Sequence, residues 1–398
     1  MFDRQTHMWD SIIGQKRVVE ALRGAIARGR VAHAYLFYGP DGAGKRAVAL
    51  AFAQALECER GGDEGCGACT PCRKVRRMLH PDVHVLFPYP SDATTEDVAE
   101  RLKRLGENPY AAIDFVRRPF LDDPTKKSNK QALYTVARIN EDLRRAMSFR
   151  PVEGRHKVAV MTDADRLRTE AANAFLKLLE EPGPQTLFIL TTSRPDLLPP
   201  TILSRCQRFR FDALGAEDIE AALIAREAMA QAPAATLARM ADGSYARALE
   251  LAENEGLMES RNFVIDFFRQ AYTQNVDKLA DLIERMGRMG REQVKGVLGL
   301  MLRWMRDLVL YRAMGGEAPL VNVDQRETIA RFCANVPTAD LEAMVRLVEE
   351  AIELVERNVH VPLTMTALAQ ALGRAMRGPH SGRLYAPLAE TDPAVWAA

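Results

Sequence analysis

At 398 residues the chain is too long for one ordinary hydrophobic core, so two or three domains are expected. A hydrophobic fraction of 47% beside 27% charged residues is that of a soluble globular protein, and a formal net charge of +1 excludes one that coats nucleic acid by bulk electrostatics, leaving room only for a local basic face. No apolar run approaches the roughly 18 residues of a membrane span, and Met1-Phe2-Asp3-Arg4-Gln5 lacks an apolar signal core, so a cytoplasmic location with no membrane partner is expected.

Residues 15–27 predict an amphipathic helix, with Val18, Val19, Leu22 and Ile26 on one side. Residues 32–38 (AHAYLFY) predict the first strand, followed directly by Gly39-Pro40-Asp41-Gly42-Ala43-Gly44-Lys45-Arg46. A strand, a glycine-rich turn and a helix starting near Lys45 make the geometry of a phosphate cradle. The glycines let backbone N–H groups converge on an anion, the helix N-terminus adds a favourable dipole, and the lysine supplies a point charge for the outer phosphates. Such a loop wants Ser or Thr after the lysine to hold Mg²⁺, and Arg46 stands there instead.

At the end of the cradle helix, Cys58, Cys66, Cys69 and Cys72 follow the spacing C-x7-C-x2-C-x2-C within a glycine-rich stretch. In a reducing compartment this clustering suggests metal in place of disulfides. Four thiolates can close a tetrahedron around Zn²⁺, and with every corner filled by protein the zinc is structural. Four reduced thiols and an iron–sulfur cluster are the competing readings of the same spacing. The following Arg73-Lys74-Val75-Arg76-Arg77 is read as a solvated helix face.

From about residue 88 to 130 the pattern loosens into short amphipathic pieces, read as an insertion on the surface of the first domain. A helix is predicted over 132–147, and His156 to Asp163 is a buried strand ending in an acid. In phosphate-cradle proteins that acid orients Mg²⁺ and the next residue, usually Glu, activates water; here Ala164 follows, and Asp165 is expected to point elsewhere. A helix over 169–181 stops at Pro182. A strand over 186–190 leads into Thr191-Thr192-Ser193, and Thr201-Ile202-Leu203-Ser204-Arg205-Cys206 precedes a short closing strand at 207–211. Beyond residue 213 the chain reads as helical, and its aromatic and Met residues are expected in a core. Residues 377–398 read as a tail open to disorder.

Several stretches together resemble the AAA+ clamp-loader family of bacterial DNA polymerase III: Ile13-Gly14-Gln15, residues 32–37, the cradle, the four cysteines, residues 171–182 (AANAFLKLLEEP) and residues 201–206 (TILSRC). The last two are the most specific. The resemblance is strong over 12–211 and weak beyond. It implies an α/β AAA+ P-loop domain at 1–212, with a parallel sheet, flanking helices and a zinc module at 58–72. A helical lid at 213–255 and an all-α collar at 256–376 would follow. It also implies that Gly39, Gly42, Gly44, Lys45 and Arg46 form the nucleotide loop, that Asp163 is the strand-end acid and that Thr192 belongs to the first nucleotide-sensing position. Arg205, between Ser204 and Cys206, corresponds to an arginine finger that reaches the γ-phosphate on a neighbouring ATPase.

The departures are informative. Arg46 and Ala164 replace a metal ligand and a catalytic base, and in Gly243-Ser244-Tyr245-Ala246-Arg247 the second sensing arginine comes one residue late. These losses imply a subunit with no ATPase of its own, in which Arg46 can partly replace the missing cation and nucleotide binding is left open. The implied partners are tau/gamma and delta subunits in a hetero-pentamer, with the sliding clamp and primed DNA reached through that complex. The alternatives are an ATP-hydrolysing tau/gamma-type subunit and a zinc-stabilised scaffold with a relic loop.

Overall fold

The computed structural model describes residues 8–115, 118, 121, 131–253 and 256–385. The far end of the tail and most of 116–130 therefore lie outside the described residues. The chain divides into two compact units, Met1–Glu250 and Leu251–Ala398.

In the first unit, the described strands β1 (Ala34–Tyr38), β2 (Val83–Leu86), β3 (Lys157–Met161), β4 (Thr186–Thr192) and β5 (Gln207–Arg210) form a parallel sheet in the order β2-β3-β4-β1-β5. Every residue of β3 and β4 is buried, which is why their sequences run apolar without alternation: helices cover both faces of the sheet. Side chains still alternate between the two faces. Tyr35, Phe37, Val158, Val160 and Ile189 meet α1 (Lys16–Ala27) and α2 (Lys45–Leu56) through Val18, Leu22 and Phe52. After α3 (Thr70–Arg76) and α4 (Thr95–Glu107), a π-helical stretch Arg138–Arg144 continues into Arg145–Met147, together α5. Leu36, Ala159, Met161, Phe188 and Leu190 pack on Leu143 of α5, on Phe175 of α6 (Thr169–Glu180) and on Ile202 of α7 (Pro200–Leu203). The unit is completed by α8 (Ala216–Glu227), α9 (Gln231–Met240) and the start of α10 (Tyr245–Glu253).

Three details differ from the sequence reading. The edge strand β2 was not anticipated, although Val83-His84-Val85-Leu86-Phe87 is an apolar run after a proline. Leu133 and Tyr134 make isolated bridges to Tyr89 and Leu167, so helix begins only beyond them. The stretch after residue 88 is not purely surface: Leu105, Tyr110 and Ile113 are buried, and Thr94 caps α4 reciprocally with Asp97.

The second unit is helical: α11 (Gly256–Thr273), α12 (Val276–Gly287), α13 (Arg291–Met314), α14 (Arg326–Asn335), α15 (Leu341–Glu356) and α16 (Val361–Ala375). The aromatic and Met side chains do form its core, with Phe268 stacked on Trp304 at 4.9 Å beside Met301, Met344 and Leu347. Within it the fully buried Asp307 carboxylate accepts N–H groups from Val321 (2.9 Å), Asn322 (2.7 Å) and the Asn322 amide (2.8 Å). No described helix is long and apolar enough to cross a membrane.

Asp307→Ala leaves three buried donors without an acceptor. Each unmet donor costs about 1–3 kcal/mol, partly recovered by relaxation. Urea unfolding of this unit should shift by roughly 3 kcal/mol or more; an unchanged midpoint would show that the carboxylate is dispensable.

Candidate functional site

The glycine loop leaves β1 beside the end of β4, where Gly39 N–H donates to Thr192 O at 3.2 Å. Gly42 and Gly44 both take positive φ, and a Cβ at Gly42 would lie 1.8 Å from Ser244 Oγ, so only glycine lets the start of α10 approach so closely. Gln15, which follows Gly14 before α1, donates its side-chain amide to Ala43 O (3.1 Å) and Asp212 O (2.7 Å), tying the loop to the chain leaving β5. That is the structural use of Ile13-Gly14-Gln15.

Lys45 does not reach out of the loop. Its ammonium donates to Gly39 O and Pro40 O, each at 2.7 Å. Arg46 turns to the segment after α4, donating from Nε to Pro109 O (3.3 Å) and from Nη2 to Ala111 O. This brings Tyr110 over Gly44. The Tyr110 hydroxyl accepts the Ile13 N–H at 2.8 Å, and its ring meets Tyr245 edge-on at 5.2 Å with the Arg226 guanidinium near both rings. Burial pushes the Tyr110 phenol up to about 12.

The space that remains, lined by Gly42, Lys45, Arg46, Tyr110, Asp163 and Thr191 among others, is about 60 Å³. Small-molecule sites usually enclose roughly 300–1,000 Å³. Gly42, Gly44, Lys45, Arg46 and Asp163 are thus brought together as the sequence suggested. Thr192 is not: its hydroxyl donates to Asp165 Oδ1 at 2.6 Å, and it is Thr191 that lines the cavity. Asp165 is further held by Arg194 at 2.7 Å, so it is committed away from the loop. On α10 it is Ala246, not Arg247, that lines the cavity. Tyr110 and Gln15 were missed as site residues, and no motif in the sequence marks Tyr110.

Arg205 lies at the end of α7, on the surface. It donates to Thr201 O (3.0 Å) and to Glu180 Oε1 (2.7 Å), an ion pair with both side chains partly exposed. Such pairs contribute only about 0–1 kcal/mol, so the guanidinium is readily released to a stronger anion. Ser204 donates to Thr201 O at 3.1 Å. Cys206 is buried in the core beneath, its thiol pushed up to about 12 by burial, and acts as an apolar anchor for the turn.

Cys58, Cys66, Cys69 and Cys72 place their sulfurs within 4.8 Å of one another. A Zn–S bond of about 2.3 Å sets the corners of a tetrahedron roughly 3.8 Å apart, and Cys66 and Cys72 are separated by 4.0 Å. The four-thiol cluster therefore fits a structural zinc. Burial raises the Cys58 and Cys72 thiols and opposes ionisation of Cys66 too, but N–H groups of Ala68 and Cys69 hold Cys66 down to about 6. The loop is fastened to the body by Trp9 Nε1–H donating to Asp63 O (2.8 Å) and by Arg23 on Asp63 and Glu64.

A parallel sheet in this order, a glycine loop after its first strand and a helical segment closing over that loop define an AAA+ P-loop module followed by a helical region. The family described as DNA polymerase III, delta subunit matches residues 14–215, half of the chain, and the chain belongs to that family. The delta-prime subunit of DNA polymerase III from Bacillus subtilis is 29% identical over 90% of this chain and 96% of its own length. The tau subunit of the same organism is 26% identical over 86% of this chain, which spans only 57% of that relative's length. Among solved structures, a DNA polymerase III gamma subunit-related protein from Thermotoga maritima covers 90% of this chain and 99% of its own, at 14% identity and a TM-score of 0.36. The clamp-loader resemblance read from the motifs is borne out at family level, with delta-prime as the member type.

A loop closed by Arg46 and Tyr110 should not take up nucleotide. With a millimolar Mg²⁺–ATP analogue, the melting temperature of the full chain should stay within about 1 °C, while Arg46→Thr should gain at least about 2 °C. Stabilisation of the unmodified chain would show that the loop opens.

Proposed function

We propose that the chain is the non-hydrolysing delta-prime subunit of a bacterial DNA polymerase III clamp loader, whose part is to supply Arg205 to an ATP bound on a neighbouring subunit. The observation that carries this reading is a contrast within one unit. The position after the loop lysine is a guanidinium engaged with Pro109 and Ala111 over a cavity of about 60 Å³, while the guanidinium of the Ser-Arg-Cys turn is partly exposed and held by a weak pair. An arginine suits the task because its planar fork donates several hydrogen bonds and keeps its charge at any physiological pH. The partners in this reading are tau/gamma and delta subunits in a hetero-pentamer, which carries the sliding clamp to primed DNA. The helical second unit is the collar that joins the ring, and the four thiols hold a structural Zn²⁺. The tau-type alternative needs a hydroxyl after Lys45 and a carboxylate after Asp163; Arg46 and Ala164 oppose it.

In a loader reconstituted from all its subunits, Arg205→Ala should leave assembly intact and lower DNA-stimulated ATP hydrolysis at least about tenfold, since fingers supplied in trans are worth ~10³–10⁵ at a single site. Arg205→Lys should fall similarly, because an ammonium cannot reproduce the fork. Unchanged turnover with Arg205→Ala would sink the finger role.

A further inference from the structure

The segments flanking the first and last thiols both grip one surface loop. Glu57, immediately before Cys58, is buried, and its carboxylate accepts the N–H groups of Arg155 (2.8 Å) and His156 (3.1 Å). Glu59 O accepts from Arg155 Nη2 at 3.4 Å. Two residues past Cys72, Lys74 Nζ meets the Glu153 carboxylate at 2.6 Å. At Gly154 a Cβ would lie 2.0 Å from Glu57 Oε2, so the loop backbone is pressed against this carboxylate.

The loop in question, residues 148–156, joins α5 to β3 without regular structure and exposes Phe149 (66%) and Val152 (74%). It has a second anchor. Asp82, just before β2, accepts the N–H groups of Val152, Glu153 and Gly154, each at 2.8 Å, and meets Lys157 at 3.2 Å. One anchor thus belongs to the sheet and the other to the cysteine module. An irregular loop is rigid only where such contacts hold it.

We infer that the metal held by Cys58, Cys66, Cys69 and Cys72 positions the 153–156 end of this loop through Glu57, so that the loop carrying Phe149 and Val152 is fixed at both anchors only in the metal-loaded chain. Glu57 is a positioning residue here: it is the last residue before a ligand, and fixing Cys58 fixes the carboxylate. Without metal the loop is left to pivot on Asp82. Because coupling free energy is reciprocal, cutting the Glu57 contact must also weaken metal binding.

This inference rests on the zinc reading, and the two are separated by measuring the metal content of the purified full chain first. One zinc per chain sustains the reading, and none overturns it. In the zinc-loaded chain, the amides of Arg155 and His156 should be protected from hydrogen exchange, and stripping the metal with a chelator should speed their exchange about tenfold or more. Amides of β4 should be unaffected. Equal exchange with and without metal would overturn the coupling. If stripping unfolds the whole unit, zinc affinity decides, read by competition with a chromophoric chelator. Glu57→Gln should lower it about tenfold, as loss of contacts behind metal ligands does, while Asp82→Asn, which cuts the other anchor, should leave it unchanged. Unaltered affinity in Glu57→Gln, or an equal loss in both variants, would overturn the assignment to Glu57.

Discussion

The guanidinium of Arg46 needs acceptors that a threonine hydroxyl at the same place would not. It is too long to face a metal ion from the first turn of α2, and it is a permanent charge at a helix N-terminus, where the helix dipole disfavours a cation. The carbonyls of Pro109 and Ala111 resolve both difficulties, and in doing so they hold the chain after α4 over the glycine loop. Tyr110 comes with them and takes the Ile13 N–H, and its ring meets Tyr245 at the start of α10. Thus one side chain links the N-terminal segment, the loop, the stretch after α4 and the segment that closes over the loop. Contacts that a nucleotide could make between these parts are made here by protein groups.

Charge is used in two unlike ways in the first unit. Glu57 and Asp82 are carboxylates taken out of water, which is costly unless every oxygen is met. Burial works against the charged form of Asp82, yet three backbone N–H groups and Lys157 outweigh it and hold its pKa below the usual carboxylate value. Such groups order the backbone around them. Arg205 on Glu180 is the opposite case: solvent screens the pair, little stability depends on it, and the guanidinium can exchange partners at small cost. The buried carboxylates hold structure in place, whereas the partly exposed cation is only weakly committed.

Much of this was legible in the chain. Glycine and lysine at the end of an apolar run announced the loop, the cysteine spacing announced the cluster, and three altered positions announced that the loop differs from a working cradle. The helical reading beyond residue 213, with aromatic and Met residues expected in a core, announced the helical second unit. What escaped was whatever depends on long-range pairing. Nothing local to Tyr110 says that it will lie on Gly44, since the contact is made through Arg46, sixty-odd positions earlier in the chain. The resemblance put Thr192 at the sensing position, but a motif match does not say which of adjacent strand-end residues faces the cavity; Thr192 pairs with Asp165 and Thr191 lines the cavity. Nothing in the sequence singles out Glu57 and Asp82, because their partners are mostly backbone N–H groups, which no side-chain pattern reveals. β2 was missed for a similar reason: a four-residue edge strand has too little length for its period to show.

In the proposed reading, these features bear on how a ring of subunits divides its labour. A subunit that binds and releases nucleotide must let the segment over its loop move, because the ligand's phosphates complete contacts that are lost on release. Here Tyr110, Tyr245, Arg226 and Ser244 make such contacts themselves, and the start of α10 already lies against Gly42. In the proposed reading this gives the turn carrying Arg205 a fixed mount, since Ile202 of α7 and Cys206 just after it pack into the core against the same sheet that bears the closed loop. A finger is effective in proportion to how little it must reorganise when the neighbour's phosphate arrives. In that reading the altered loop is more than a decayed active site: Arg46, which stands where the metal ligand would be, is also the side chain that ties Pro109 and Ala111 over the loop and stiffens the frame behind the finger.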